Sequence, residues 1–297
     1  MQCLGKTRRG TTCSRISKKG NYCYQHGGNL PELPPELNQE YELLDLIDCG
    51  NNCVYRIRDR ELGILRAIKI IDYSRYNQRE CALLATEVNV MASLKGHPRV
   101  VQYVKRYLDK DASTLYIIMG YLSNSVEKYL KEHSIISDEL ALKIAQQTLE
   151  GLALLQSHRI IHNDIKPANL LLDDVLNVVI SDFGMICQLK AREFFCRESH
   201  GTPLYMSPEK MHDRPFNYTG DLWSLGVTLY EMITGVHPFK GDHIATLALK
   251  IDEGIYSPIT GHLPKVVNLI QDLLQVFPVD RSSASELLEK YWGPERS

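Results

Sequence analysis

Residues 222–233, Leu-Trp-Ser-Leu-Gly-Val-Thr-Leu-Tyr-Glu-Met-Ile, set the tightest limit on what this chain can become. Read as a helix, the run is apolar on nearly every side, and such a helix is stable only when other elements surround it. It belongs in the middle of a lobe, and the lobe around it must be large. Helical patterning supplies the surroundings. Ser137 is placed to cap a helix with Asp138 and Glu139 in its first turn and with Leu140, Ile144, Leu152 and Leu155 on one face. Near the end, Ser283-x-x-Glu286 ahead of Leu287 and Leu288 is a capping-box signature.

The part from Tyr41 to about Lys110 reads differently. Residues 68–71 (IKII) and 115–119 (LYIIM) are short, β-branched runs of strand length, and between them Leu84, Val88, Met91 and Leu94 keep a helical spacing. A small sheet with one helix, followed by a larger helical region, predicts an α+β chain of two lobes. The 297 residues are enough for that, and 44% hydrophobic with 24% charged residues excludes disordered and collagen-like classes. No apolar run approaches the ~20 residues needed to span a bilayer. The opening MQCLGKTRRG has no secretory apolar stretch. We therefore expect no membrane partner and an intracellular, cytoplasmic location, with the nucleus left open and the cysteines kept as thiols.

Charge is distributed unevenly. Residues 1–30 carry Lys6, Arg8, Arg9, Arg15, Lys18 and Lys19 with no acidic residue, a local +6 that leaves −8 for the rest of a chain totalling −2. The same segment holds Cys3, Cys13, Cys23 and His26. Three thiolates and an imidazole would make one closed, structural Zn²⁺ site, although the nine-residue gaps before Cys13 and Cys23 are looser than in standard fingers. A basic arm with incidental cysteines is the alternative. Its charge fits a nucleic-acid or acidic protein partner, and only Tyr22 and Tyr24 are present for base stacking. The turn-rich residues 31–40 read as a linker, so the expected organisation is 1–30 tail, 31–40 linker and 41–293 folded domain.

The chemistry concentrates at 158–172, HRIIHNDIKPANLLL, where Asp164, Lys166 and Asn169 gather a carboxylate, an amine and an amide between apolar segments. Phosphoryl transfer needs a group to orient the attacking hydroxyl, a cation for the moving phosphate and oxygen ligands for a metal. Asp182-Phe-Gly, after a strand-like run, adds a carboxylate suited to Mg²⁺. Upstream, Lys69 ends an AIK strand and Glu87 lies on the following helix as its partner. Downstream, residues 201–209 read GTPLYMSPE.

In that order these blocks resemble the protein kinase superfamily over roughly residues 41–293, and the resemblance implies a bilobal kinase fold, ATP and Mg²⁺. It assigns Asp164, Lys166, Asn169 and Thr202 to catalysis, Asn169 and Asp182 to Mg²⁺, and Lys69, paired with Glu87, to the phosphates. Met119 would be the gatekeeper, with the backbone of Gly120 to Leu122 meeting adenine. Glu209 would pair with Arg281, and Asp221 would brace the catalytic loop. Lys166 with Thr202 resembles serine/threonine kinases, so protein substrates with Ser/Thr acceptors are implied. The tail is similar to small Cys3His segments in some proteins of large DNA viruses, which would place the work in host cytoplasm.

Two positions depart from that pattern. The nucleotide loop, Ile47, Asp48, Cys49, Gly50, Asn51, Asn52, Cys53, Val54 and Tyr55, has a single glycine where the family has three. Asn51 and Asn52 can preserve the turn, at some cost in nucleotide binding. Asn163 stands where the superfamily usually has an arginine that receives an activation-loop phosphate, so Ser199 is expected to matter little for activity. A kinase-fold binding scaffold without activity is the competing reading. Against it, the lysine, its glutamate, the base and both metal ligands are all present.

Overall fold

The change of pattern along the chain corresponds to a division in space. The computed structural model, which describes residues 30–50, 52–198 and 200–294, separates them into two units. Residues up to Lys95 with Gln102–Tyr121 form the first, and Gly96–Val101 with the residues from Leu122 form the second.

The first unit opens with α1 (Pro35–Glu40), where proline near the start costs no hydrogen bond. The strands are β1 (Tyr41–Cys49), β2 (Cys53–Asp59), β3 (Leu65–Asp72), β4 (Tyr103–Asp109) and β5 (Thr114–Gly120), and α2 (Gln78–Ser93) lies between β3 and β4 in the chain. They form an antiparallel sheet in the order β1-β2-β3-β5-β4. Alternation puts Tyr55, Ile57, Ile68, Tyr116 and Ile118 on one face, where Leu37 and Tyr41 complete a buried cluster. Residues 31–40 are therefore not simply a linker. From Pro35 they fold as a helix anchored by Leu37, with Leu33 packed against the same cluster, a pattern that the turn-rich composition obscured. On α2, Asn77 and Glu80 form a reciprocal capping box, so the helix starts before the apolar repeat does.

The second unit contains β6 (Asn124–Ser125), α3 (Val126–His133), α4 (Asp138–Ser157), β7 (Ile160–Ile161), β8 (Leu170–Leu172), β9 (Val178–Ile180) and β10 (Cys187–Gln188), followed by five helices. These are α5 (Pro208–Met211), α6 (Thr219–Thr234), α7 (Ile244–Glu253), α8 (Pro264–Leu273) and α9 (Ala284–Trp292). Ser137 caps α4, and Ser283 with Glu286 boxes α9, as the pattern predicted. The all-round apolar helix is α6, with Trp223, Leu225, Val227, Leu229 and Met232 fully buried. Gly226 lets α8 approach, because a Cβ there would lie 2.8 Å from Cβ of Leu273. Strands β6, β8 and β9 form one small sheet and β7 pairs with β10 in another. Residues 99–101 are tied to β9 by two backbone hydrogen bonds, from Val101 to Ile180 and from Ile180 to Arg99.

Four cysteines expected as thiols are disulfide-paired. Cys49 and Cys53 face each other across the β1–β2 hairpin, with Cα atoms 4.1 Å apart. Cys187 and Cys196 are brought to 6.4 Å because the chain between them doubles back. Cys196 exchanges both backbone hydrogen bonds with Phe216 and is buried beside Ile161, Leu189 and Phe216. Cys81 is an exposed thiol.

Candidate active site

In the first unit, the inward alternation of β3 carries Lys69 to the side of the sheet where α2 presents Glu87. The ammonium donates to the carboxylate at 2.7 Å, and both residues are buried. Burial of either charge alone would be expensive, which explains why they occur together. At the stretch expected to be the nucleotide loop, β1 and β2 meet at the paired Cys49 and Cys53. Ile47 and Asp48 are exposed, Asn52, Cys53 and Val54 are partly exposed, and a Cβ on Gly50 would meet nothing within 4 Å. Asn51 lies outside the described residues. Tyr55 belongs to the sheet's core cluster, so its side chain is occupied in packing rather than at the loop. Met119 is nearly buried on β5, and the N–H of Gly120 is committed to the carbonyl of Gln102 at 2.8 Å. Leu122, partly exposed, belongs to the second unit.

In the second unit, β7 leads into a loop that converges on Asp164. Its Oδ1 accepts the Thr202 amide at 3.0 Å and the Thr202 hydroxyl at 2.8 Å. Its Oδ2 accepts Lys166 Nζ at 2.6 Å and Asn169 Nδ2 at 3.0 Å. Lys166 also donates to Thr202 Oγ1 at 2.8 Å, so an amine, a hydroxyl and a carboxylate form a closed triangle. Asp164 is 4% exposed, and four donors keep a carboxylate oriented there.

The loop is braced from below. Asp221, at the start of α6, accepts the amides of His162 at 2.7 Å and Asn163 at 2.8 Å. Burial pushes the Asp221 carboxyl up, while His162, Lys210 and the two amides pull it back down. His162 contacts the Ser181 carbonyl and packs edge-on against Phe183, which holds the 181–184 turn beside the loop. Ser181 donates its amide and hydroxyl to the carbonyl of Asn169. Asp182, with φ of +61°, is exposed between them, a left-handed backbone that Asp tolerates better than most residues.

The donor set fits Mg²⁺. Asn169 spends its Nδ2 on Asp164, which makes its oxygen the end left for a hard cation, and Asp182 offers an exposed carboxylate. Among the described residues no cluster of three or more His, Cys, Asp or Glu forms a metal site. Cys3, Cys13, Cys23 and His26 lie outside the described residues, as does Ser199.

Farther from Asp164, Arg281 Nη2 meets Glu209 at 2.5 Å and Nη1 meets the Thr219 carbonyl at 2.7 Å, both side chains being buried. Three arrangements had no sequence signal. Arg159 gathers the carbonyls of Leu189, Lys190 and Glu193 with one guanidinium. Asn163 donates to the Met185 carbonyl at 2.9 Å, in place of an arginine reaching for a phosphate. Tyr205 donates to Glu231 at 2.6 Å, and burial pushes both groups up.

Comparison with known proteins agrees with this geometry. A family model described as "Protein kinase domain" matches residues 43–293. The chain is 36% identical over 262 residues to "Probable serine/threonine-protein kinase nek2" of Dictyostelium discoideum, covering 84% of this chain and 62% of that protein. It is 35% identical over 270 residues to "Serine/threonine-protein kinase Nek2" of Homo sapiens, covering 86% and 60%. Similarity to "Serine/threonine-protein kinase fused" of Drosophila melanogaster is 30% over 250 residues, covering 84% of this chain and 31% of that one. The chain thus spans about three fifths of the two Nek2 proteins, or less of the third.

Proposed function

The chain belongs to the protein kinase family, and on that premise we propose that it is an ATP- and Mg²⁺-dependent serine/threonine kinase acting on protein substrates. The observation that carries the reading is Asp164, buried, ionisable and held by four donors, with Lys166 and Thr202 on either oxygen. Phosphoryl transfer depends mostly on positioning and charge stabilisation, and this arrangement supplies both.

In this mechanism Asp164 orients the acceptor hydroxyl and takes its proton as the bond to phosphorus forms. Lys166, already against Asp164, places positive charge beside the transferring group. Lys69 holds the α/β-phosphates, and Glu87 keeps its ammonium from swinging away. Asn169 and Asp182 would hold Mg²⁺, which when bound neutralises phosphate charge. Among the described residues, no helix is long and apolar enough to cross a membrane.

The test is transfer of labelled phosphate from ATP to a mixed Ser/Thr peptide library, by the intact protein and by Asp164→Ala. Transfer that the variant lacks, on Ser or Thr, supports the reading. A folded wild-type protein that transfers nothing refutes it and favours the binding-scaffold reading, which rests on the single glycine of a nucleotide loop closed by Cys49 and Cys53.

For the N-terminal segment we propose one zinc ion on Cys3, Cys13, Cys23 and His26, with the six basic residues attracting a nucleic-acid or acidic partner. Metal analysis of the full chain and of Cys23→Ser tests the first part, and equal zinc in both refutes it. A salt-dependent gel shift tests the second.

A further inference from the structure

Directly after Glu209 comes Lys210, a lysine 2% exposed, which the reaction described above does not use. Its Nζ donates to the carbonyl of Asn163 at 2.9 Å, and the ammonium lies 5.2 Å from the centre of the Phe216 ring. Asn163 is left-handed, with φ of +72°, and buried, so its carbonyl needs a partner inside the protein. Gly201 passes against the same atom, where a Cβ would lie only 2.5 Å from the oxygen. The N–H of that same residue, Asn163, is already held by Asp221. Asp221 thus grips the backbone of Asn163 by its amide and Lys210 by its carbonyl, and the next residue is Asp164.

We propose that Lys210 is a positioning residue for Asp164: its buried charge fixes the Asn163 carbonyl and offsets the carboxylate of Asp221, so that the catalytic loop keeps its conformation without an arginine at position 163. Among the described residues, the carboxylates of Asp221, Asp164 and Glu209 act on Lys210, all attractively. Burial pushes the ammonium's pKa down against their pull, which makes Lys210 dependent on these neighbours. Removing the ammonium would leave Asp221 with less to oppose its own burial. Its hold on the His162 and Asn163 amides would then weaken, and Asp164 would lose its fixed position.

The inference rests on the kinase reading for its kinetic arm and stands apart from it in its structural arm. Lys210→Met and Lys210→Arg would be compared with the wild type in the full-length protein. Lys210→Met is expected to lower kcat by about 10- to 100-fold, the scale of a small misplacement of a reacting group. The KM for ATP should stay within about twofold, and hydrogen–deuterium exchange at the 162 and 163 amides should rise about tenfold while α4 stays unchanged. Lys210→Arg, which keeps charge and donor, should restore both readouts. A general packing defect would raise exchange across α4 and α6 and shift KM as well, and that result would overturn the proposal. A folded Lys210→Met with wild-type kcat or wild-type exchange at 162 and 163 would also overturn it. Should Lys210→Met fail to fold, Lys210→Gln, which keeps a donor without charge, carries the same comparison. If the wild type transfers no phosphate, the kinase reading fails and the exchange data alone decide the role of Lys210.

Discussion

Replacing Thr202 with valine removes one hydroxyl while keeping the volume and the backbone amide. In the structure that hydroxyl donates to Asp164 Oδ1 at 2.8 Å and accepts from Lys166 Nζ at 2.8 Å. Asp164 therefore drops from four donors to three, and Lys166 loses one of its two acceptors. A hydrogen bond to a charged group is worth about 1.5–3 kcal/mol. If that loss falls on the transition state, at about 1.4 kcal/mol per factor of ten, kcat drops by roughly 10- to 150-fold. The KM for ATP should stay within about twofold, because the lost bonds are to the acceptor-side carboxylate. Initial-rate kinetics on a Ser/Thr peptide, with Thr202→Ser as the control that returns the hydroxyl, provide the assay. A kcat for Thr202→Val within about threefold of wild type would refute the idea that the triangle of Asp164, Lys166 and Thr202 is a working unit. Equal losses in the valine and serine variants would show that shape rather than the hydroxyl matters.

Three further outcomes follow from the same structure. Arg281→Met leaves Glu209 buried without its guanidinium, a loss of about 3–5 kcal/mol and, at roughly 2–4 °C per kcal/mol, a melting temperature lower by roughly 6–20 °C. The double variant Glu209→Leu/Arg281→Met should recover most of that, and a double variant as unstable as the single one would refute the ion-pair account. Gly226→Ala gains about 1 kcal/mol in helix propensity but forces a Cβ against Leu273 at 2.8 Å. Overpacking costs about 1–3 kcal/mol, so a net loss in denaturant midpoint is expected, and a stabilised variant would show that α6 and α8 can part. The Ser283 backbone and hydroxyl hold the Glu286 carboxyl below its ordinary 4.5. Because the folded value is the lower one, the stabilisation is full above pH 4.5 and is lost as pH falls through the depressed value. Glu286→Gln should flatten acid unfolding in that window, and an unchanged profile would contradict the capping role.

Much of the candidate site could be read from one-dimensional pattern because its parts are short, local and chemically distinctive. Asp164, Lys166 and Asn169 lie within six residues, and the turn that holds them together is local. The caps at Ser137 and Ser283, the period of α4 and the all-round apolar run of α6 are likewise decided by neighbours in the chain, where propensity and burial act over a few residues. Two residues did not fit that logic. Tyr55 sat inside a loop motif, yet strand alternation sent it into the core, and Leu37 looked like part of a linker until a sheet was present for it to cover. Both outcomes depend on which face of β2 or α1 meets other buried residues, and the sheet decides that.

By itself the amino-acid sequence determined the strands at 68–71 and 115–119, the serine caps at 137 and 283, the apolar helix at the centre of the second unit and the identities of the acids, amides and amines that chemistry would need. Tertiary structure alone decided which distant groups meet: Lys210 with the Asn163 carbonyl, Arg159 with the carbonyls of 189–193, and Cys187 with Cys196. The physical reason is that a helix or strand is stabilised by contacts between near neighbours. A buried lysine or arginine is stabilised by whichever carbonyl or carboxylate the fold leaves unpaired beside it, and no local pattern in the chain records that choice.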